Sequence, residues 1–240
     1  MSTVAVAIVC KTPMPGRSKT RLSPPLRPEE CAAISACFIQ DLSRTIGDLA
    51  ADGDVTGYAV YTPSGSETVL RRLLPTSFKI VPQFDGDFGE RLLQGTADLL
   101  DAGHQGAILV NSDSPTLPRS ILRAAVDAVR REDRVVLSPA FDGGYTLIGL
   151  SKPHVRLFED IPWSTSSVYR LTQERARETG LRVVNVPGWY DVDDATSLRM
   201  LEDEFSGRLL DFADGTEAPH TRQFLTARTA ALAEPADMTL

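Results

Sequence analysis

The feature that most constrains the fold is an apolar run near the start of the chain, VAVAIVC at residues 4–10. The run is rich in β-branched side chains and shows no alternation between apolar and polar positions. A strand with this pattern is usually covered on both faces, as the central strands of parallel sheets are. We therefore expect a first strand in the middle of a sheet.

Strand-like and helix-like segments alternate along the chain to about residue 204. Pro28 with Glu29 and Glu30 has the form of a helix start, and apolar residues recur at helical spacing after it. Further strands are predicted at GYAVYT, FKIV, GAILVN, RVVLSP, YTLIGL and RVVNV. Further helices are predicted at ETVLRRLL, at FGERLLQGTADLLDAG, from Pro118, around 166–179 and around 194–204. This order predicts an α/β fold with a mostly parallel sheet flanked by helices.

Composition limits the classes of protein that the chain can belong to. With 240 residues, 42% of them hydrophobic, we expect a single domain over 1–205 and a C-terminal extension over 206–240 that is partly packed or mobile. The formal net charge of -7 argues against nucleic acid and membrane surfaces as partners, and no apolar stretch approaches the ~20 residues of a membrane helix. Three cysteines without a CxxC pair predict neither a disulfide framework nor a zinc site, and favour a reduced, cytoplasmic protein.

A basic loop, CKTPMPGRSKTRL at residues 10–22, follows the first strand in this acidic chain. Open α/β sheets bind ligands at the carboxyl ends of their strands, where this loop is expected to lie. The loop lacks the glycine spacing of a P-loop and the GxGxxG fingerprint of dinucleotide sites. We predict that Lys11, Lys19 and Arg21 bind nucleotide phosphates, with Gly16 in the turn, although a solvated turn is the alternative.

Carboxylates follow other strands at the same predicted edge. Asp113 follows GAILVN, Asp142 follows RVVLSP, and Asp191 and Asp193 follow RVVNV. Carboxylate oxygens suit Mg²⁺ or Mn²⁺, and Mg²⁺ commonly takes one or two of them together with substrate phosphates and waters. We predict a metal site formed by Asp113 with Asp191 or Asp193, between which the sequence does not choose. The alternatives are helix capping by Asp113 and a solvated turn for the acidic run.

The DGGY segment has two interpretations. Asp142 with Gly143 and Gly144 forms either a tight hairpin turn, or a substrate site in which the glycines admit the ligand and the carboxylate takes a proton. Trp163 lies in the polar loop IPWSTS and is the better ligand candidate of the two tryptophans, although core or lid positions are more common for such side chains.

The segment QFDGDFGER also has two interpretations. It is either a loop and helix start capped by Asp87, which is the safer interpretation, or a wall for a nucleoside. In the second case Gln83 reads the edge of the base and Gly86 lies beside it.

Six segments, in this order, resemble the motifs of one protein family: KTPMPGRSKTRL, Q-x-x-GDFGER, NSDSPTLP, DGGYTLIGL, IPWST and YDVDD. They are similar to those of bacterial glycosyltransferase-A-fold (nucleotide-diphospho-sugar transferase) proteins, of the arsenosugar-biosynthesis or radical-SAM-associated glycosyltransferase type. The resemblance spans about residues 4–202. That family resembles in turn the phospholactate guanylyltransferases and molybdenum-cofactor nucleotidyltransferases, which share the fold, the basic loop and the central aspartate.

The resemblance implies a Rossmann-like fold and a metal-dependent transferase that acts on a nucleotide or nucleotide-sugar donor and a small-molecule acceptor. Its catalytic residues would be Lys19, Asp113 and Asp142, the last as the base that takes the acceptor's proton. Lys11, Lys19 and Arg21 would hold the nucleotide phosphates, and Asp113 with Asp191 or Asp193 would hold Mg²⁺ or Mn²⁺.

Three activities are open at this point. The leading hypothesis is glycosyl transfer from a nucleoside-diphosphate sugar. The second is nucleotidyl transfer, of guanylyl or cytidylyl type, from a nucleoside triphosphate to a phosphorylated or acidic small molecule with release of pyrophosphate. The third is a catalytically idle nucleotide-binding protein. The basic loop departs from the GGxGxR form of sugar nucleotidyltransferases, which argues against a simple sugar-1-phosphate nucleotidyltransferase.

Overall fold

The structure, a computed structural model, describes residues 3–209 and 215–233. Its strands are β1 (Val4–Lys11), β2 (Val55–Thr62), β3 (Lys79–Pro82), β4 (Gly106–Asn111), β5 (Arg134–Pro139), β6 (Tyr145–Leu150) and β7 (Arg182–Asn185). Its α-helices are α1 (Pro28–Ala50), α2 (Glu67–Arg71), α3 (Phe88–Asp101), α4 (Arg119–Val129), α5 (Val168–Glu178), α6 (Ala195–Phe205) and α7 (Pro219–Ala233).

The seven strands form one sheet in the order β3-β2-β1-β4-β6-β5-β7. All neighbouring strands pair in parallel except β6, which runs antiparallel to both β4 and β5. The reversal follows from the short DGG connection between β5 and β6, which is a hairpin. The predicted α/β fold with a mostly parallel sheet flanked by helices is therefore confirmed.

β1 lies near the middle of the sheet and is buried on both faces, as its sequence predicts. Val4, Val6 and Ile8 pack into a core cluster with apolar side chains of α1, α4, α6 and α7. Ala5 and Ala7 face the opposite cluster, which α3 and α5 cover. Because both faces are dry, neither set of alternate positions is polar.

The helix ends decide one of the open interpretations. Asp87 caps α3, where its carboxylate accepts the Glu90 amide N–H at 2.9 Å, and Asp194 caps α6 in the same way. α4 begins at Arg119 with Pro118 at its cap position. Asp113 precedes that cap by several residues and contributes no capping bond, so helix capping by Asp113 is wrong.

Helix α7 packs against α1. The Asp41 carboxylate of α1 accepts the backbone N–H groups of His220 at 3.0 Å and Thr221 at 2.9 Å, and Leu225 is buried in the core cluster. The expected extension 206–240 is thus packed over Pro219–Ala233, while 210–214 and 234–240 lie outside the described residues. Across the described parts of the chain, no helix combines the length and apolar character that crossing a membrane requires.

Candidate functional site

The loops after β1, β4, β5 and β7 meet at one edge of the sheet. The Val192 N–H donates to the Asp113 carbonyl oxygen at 2.8 Å, which joins the loop after β7 to the loop after β4. Ala140, after β5, forms a bridge with Trp189 of the same β7 loop. The cations and carboxylates that the sequence places on this edge therefore come together.

Lys19 lies at the centre of these loops. Its ammonium nitrogen contacts Asp113 Oδ1 at 2.8 Å and Asp193 Oδ1 at 2.8 Å, and donates to the Val192 carbonyl at 2.7 Å. Its side chain is 8% exposed, and its backbone is left-handed with φ of 50°. Burial lowers the pKa of Lys19, but the two carboxylates outweigh that effect and raise the pKa above its ordinary value. Lys19 is therefore a fixed positive charge that bridges two loops.

Four carboxylates surround this position, those of Asp113, Asp142, Asp191 and Asp193. Burial, followed by repulsion from Asp142, Asp193 and Asp113, raises the pKa of Asp191 to about 7. The Asp142 carboxylate accepts the Gly144 N–H at 2.8 Å, and the Ser112 hydroxyl donates to Asp113 at 3.0 Å. Lys19 contacts two of the four carboxylates, and Asp142 and Asp191 form no ion pair within the described residues, so negative charge remains beside them that favours a cation.

The residues fit a divalent ion held by two protein carboxylates. Asp113 and Asp193 each contact the Lys19 ammonium at 2.8 Å through Oδ1, so the two carboxylates lie side by side with Lys19 between these two oxygens. Within residues 3–209 and 215–233, no group of three or more His, Cys, Asp or Glu side chains is arranged as a metal site. Two carboxylates without further protein ligands are the donor set of an ion that takes its other ligands from substrate phosphates and water. The metal site of Asp113 with Asp191 or Asp193 stays a prediction.

Two cavities of about 300 Å³ each open on either side of these carboxylates. We call the first the basic chamber; its lining includes Lys11, Arg17, Lys19, Arg21, Ser112, Asp113, Ser164 and Asp193. We call the second the apolar chamber; its lining includes Val9, Phe88, Leu92, Leu109, Tyr145, Ile148, Trp163, Val168, Asp142 and Asp191. Ser112, Asp113, Ser164 and Asp193 line both chambers. A ligand that spans the carboxylates would therefore enter both.

Gly143 joins the hairpin to the loop that carries Trp163. Its φ is +91°, and a Cβ atom there would overlap the carbonyl oxygen of Ser166. The Gly143 carbonyl also accepts the Tyr169 N–H at 2.9 Å. Glycine is thus required for packing between two loops, while Gly144 and Trp163 line the apolar chamber.

Three other predicted residues lie away from both cavity linings. Gln83 donates its amide to the carbonyl oxygens of Val60 at 3.1 Å and Cys10 at 3.4 Å. The Gly86 carbonyl accepts from Arg91 at 2.8 Å, and Gly16 occupies an exposed turn with φ of 69°. Nucleotide binding by Gln83, Gly86 and Gly16 stays a prediction.

The structure adds residues to the site that the sequence interpretation left out. Arg17 lines the basic chamber, and its place in GRSKTR beside Lys19 and Arg21 was the signal that could have found it. Ser164 lines both chambers, and Phe88 lines the apolar one. Phe88 lies in QFDGDFGER and Ser164 in IPWSTS, two segments that resemble family motifs, and that position was the signal that could have found them.

Residues 45–165 match the family model described as an uncharacterized protein family conserved in bacteria, DUF2064. The chain belongs to this family. A search of curated proteins finds no match to the sequence.

Solved structures extend the comparison to the whole fold. A proposed nucleotide-diphospho-sugar transferase from Desulfovibrio desulfuricans G20 is 28% identical, with a TM-score of 0.80 over 96% of each chain. A CMP:2-keto-3-deoxy-manno-octonic acid synthetase complexed with CTP is 13% identical, with a TM-score of 0.56 over 87% of this chain and 100% of that one. A cytidylyltransferase from Leptospira borgpetersenii serovar Hardjo-bovis is 10% identical, with a TM-score of 0.54 over 98% of each chain.

At their low identity, the last two structures establish the fold alone. With the first, they confirm the predicted nucleotide-diphospho-sugar transferase fold. The first, at 28% identity over 96% of each chain, supports membership of that superfamily. The arsenosugar-associated type stays a prediction.

Proposed function

We propose that the protein is a metal-dependent transferase that moves a sugar from a nucleoside-diphosphate sugar to a small acceptor. The observation that carries this proposal is the basic chamber opening directly onto the converging carboxylates of Asp113 and Asp193. Phosphates and a divalent ion are the ligands that need cations and carboxylates at one point. The likeness to the proposed sugar transferase from Desulfovibrio desulfuricans G20 supports the same class of donor.

The cations of the basic chamber are proposed to hold the diphosphate. Lys11, Arg17 and Arg21 are exposed and, within the described residues, form no ion pair. Their charge is therefore available to a ligand. Fixed positive groups of this kind stabilise the negative charge that develops on a departing nucleoside diphosphate.

Asp113 and Asp193 are proposed to hold Mg²⁺ or Mn²⁺. When bound, the ion would supply Lewis-acid stabilisation of the phosphate oxygens. Lys19 would position both carboxylates, since its ammonium contacts each of them and the Val192 carbonyl.

Asp142 is proposed as the base that takes the acceptor's proton. It lines the apolar chamber on the side away from the cations, and its carboxylate is oriented by the Gly144 N–H. Asp191 lines the same chamber and adds to the negative potential there. A base in this place would be near an acceptor rather than near the phosphates.

Nucleotidyl transfer is a second candidate because of one observation. Four cations line the basic chamber, which is enough positive charge for a triphosphate as well as a diphosphate. The apolar chamber, however, has no lysine or arginine in its lining to receive the phosphorylated or acidic acceptor that this reaction would use.

Product analysis separates these activities. The protein is incubated with Mg²⁺ or Mn²⁺ and either a panel of UDP-, GDP-, CDP- and ADP-sugars or the four nucleoside triphosphates, and products are identified by mass spectrometry. We expect release of a nucleoside diphosphate from one sugar donor, and its loss in Asp113→Asn but not in the exposed control Asp101→Asn. Formation of pyrophosphate from a triphosphate, with no turnover of any sugar donor, would show that the activity is nucleotidyl transfer and not glycosyl transfer. No turnover of either panel would support an idle binding protein.

A further inference from the structure

The apolar chamber lies within the hydrophobic core beside the proposed reaction centre. Its inner surface is formed by side chains from three strands and two helices: Val9, Leu92, Leu109, Ile148 and Val168. The last four of these are at most 6% exposed. From the carboxylates, the chamber thus extends into the core side of the sheet and not along its polar edge.

An aromatic pair borders the chamber. The rings of Phe88 and Trp163 meet edge to face, with centroids 5.0 Å apart and an interplanar angle of 80°. Phe88 is 46% exposed although it lies at the start of a well-formed helix. The Trp163 loop is held against the hairpin by the close approach of Gly143 to Ser166, so this border is formed before any ligand binds. Aromatic faces in such a place favour an apolar ligand surface.

The charges of the two chambers are opposite. Among the residues that the structure describes, four carboxylates line the apolar chamber, those of Asp113, Asp142, Asp191 and Asp193, and no lysine, arginine or histidine does. A carboxylate or phosphate on the ligand would be repelled here, whereas the basic chamber would attract it.

Two polar side chains of the strands that line the chamber are already engaged. The Thr146 hydroxyl donates to Ser138 Oγ at 2.9 Å, and the Asn111 side-chain oxygen accepts the Asp113 N–H at 3.2 Å. A ring with many hydroxyls that reached past the carboxylates to Val9, Leu109 and Ile148 would lose its hydration there without gaining equivalent partners, which costs free energy for each unmatched group. An apolar body of about one ring fits the cavity volume of about 300 Å³.

We propose that the apolar chamber binds the acceptor, and that the acceptor is a small molecule with an apolar body, one reacting hydroxyl group and no negative charge. This inference rests on the proposed function. The Asp142 carboxylate takes the hydroxyl proton, and the acceptor oxygen forms a bond to the anomeric carbon of the donor sugar. The bond from that carbon to the diphosphate breaks, and its electron pair stays on the diphosphate oxygen, which the cations of the basic chamber hold.

The test compares matched neutral and anionic probes. Ligand-observed NMR measures the binding of benzyl alcohol, cyclohexanol, benzoate and phenyl phosphate to the full chain. Mg²⁺ is present together with the one nucleoside diphosphate, among ADP, CDP, GDP and UDP, that gives the largest thermal shift. We expect both alcohols to bind at least tenfold more tightly than benzoate and phenyl phosphate. Equal or tighter binding of the anions would overturn the proposal.

Two variants locate the binding. Val168→Phe places a larger side chain in the chamber and should weaken alcohol binding tenfold or more, with nucleoside diphosphate affinity unchanged within twofold. Phe88→Ala removes an exposed ring and should weaken alcohol binding about fivefold, so it decides the matter if Val168→Phe fails to fold. Wild-type alcohol affinity in whichever of these two variants folds would overturn the proposal.

Failure of this inference is distinguishable from failure of the proposed function. Diphosphate binding without alcohol binding would overturn the acceptor class alone. Alcohol binding in a protein that binds none of the four diphosphates would overturn the acceptor role together with the proposed function.

Discussion

Two groups of positive side chains in this protein differ in whether their charge is already matched. Near the start of β2, Arg123 holds the Asp54 carboxylate through two bonds of 3.0 Å, and Arg130 contacts the same carboxylate at 2.6 Å. Arg119 pairs with Asp52 at 2.6 Å. Hydrogen bonds from Arg123, and then from Arg130, hold the pKa of Asp54 below its ordinary value.

The basic chamber has a similar density of cations but a different charge balance. Lys11, Arg17 and Arg21 are exposed and form no ion pair with any residue that the structure describes, and only Lys19 is matched by carboxylates. A cluster of cations therefore indicates a ligand only where the chain itself leaves their charge unmatched. The first group is expected to stabilise the fold, and the second to bind phosphate.

The largest effect is expected from Asp113→Asn. It removes one of the two carboxylates proposed to hold the ion, and we expect turnover to fall about 100-fold or more, which is typical for loss of a key electrostatic group. Because Lys19 keeps Asp193 and the Val192 carbonyl as partners, the thermal midpoint should change little. Turnover is measured at limiting Mn²⁺ beside Asp101→Asn. Wild-type turnover in Asp113→Asn would exclude Asp113 as a metal ligand.

Arg21→Ala should come next. A charged hydrogen bond contributes about 1.5 to 3 kcal/mol, so nucleoside diphosphate affinity should fall about tenfold or more. The free energy of unfolding should stay within about 0.5 kcal/mol of wild type, since Arg21 is exposed and unpaired. Calorimetric titration checks the affinity, with the exposed Arg131→Ala as the matched control. An equal loss of affinity for the bare nucleoside would mean that Arg21 contacts something other than phosphate.

Arg123→Ala should give the reverse pattern. It removes two bonds to Asp54 but leaves Arg130, so we expect a loss of about 1 to 2 kcal/mol in the free energy of unfolding. Nucleotide affinity should not change. Urea denaturation measures the first quantity, and weaker nucleotide binding by a folded Arg123→Ala protein would break the distinction between the two groups.

Stability is also expected to depend on pH, through Asp191. The pKa of Asp191 is raised to about 7 in the folded protein from an ordinary value of 3.8, so the folded state binds its proton more tightly than the unfolded state does. Without metal, this group therefore lowers stability progressively as pH rises from about 4 to 7. Asp191→Asn should become more stable relative to wild type over that interval, with no further gain above it. Urea denaturation of both proteins over this pH interval measures the difference. A difference that does not change with pH would contradict the raised pKa of Asp191.

Much of the fold could be predicted because local patterns and tertiary packing agree. GAILVN, RVVLSP and YTLIGL are strands over the predicted bounds, since each is a short apolar run between turn residues. The antiparallel direction of β6 and the order of the strands could not be predicted in this way, because they depend on pairing between distant segments. Helix α7 was missed because its apolar pattern is weak, and its start is capped by Asp41 from far along the chain.

The basic chamber and the carboxylates were predictable because charged residues after buried strands are unusual. The ion pair of Lys19 with Asp113 and Asp193 was not, because it depends on where the Lys19 ammonium lies in the folded chain. The apolar chamber was not predictable either, since Leu92, Leu109 and Ile148 have the ordinary pattern of core residues. Only the packing of α3, α5 and the Trp163 loop leaves a space between them.

Calorimetric titration decides whether the basic chamber and the paired carboxylates bind nucleotide phosphates together with a divalent ion. The preferred nucleoside diphosphate and its parent nucleoside are each titrated into the wild-type protein with Mn²⁺ and again with EDTA. The account predicts that the diphosphate binds at least 100-fold more tightly than the nucleoside in Mn²⁺, and that EDTA removes at least tenfold of this preference. Equal affinities for the two ligands, or diphosphate binding that Mn²⁺ does not change, would contradict it.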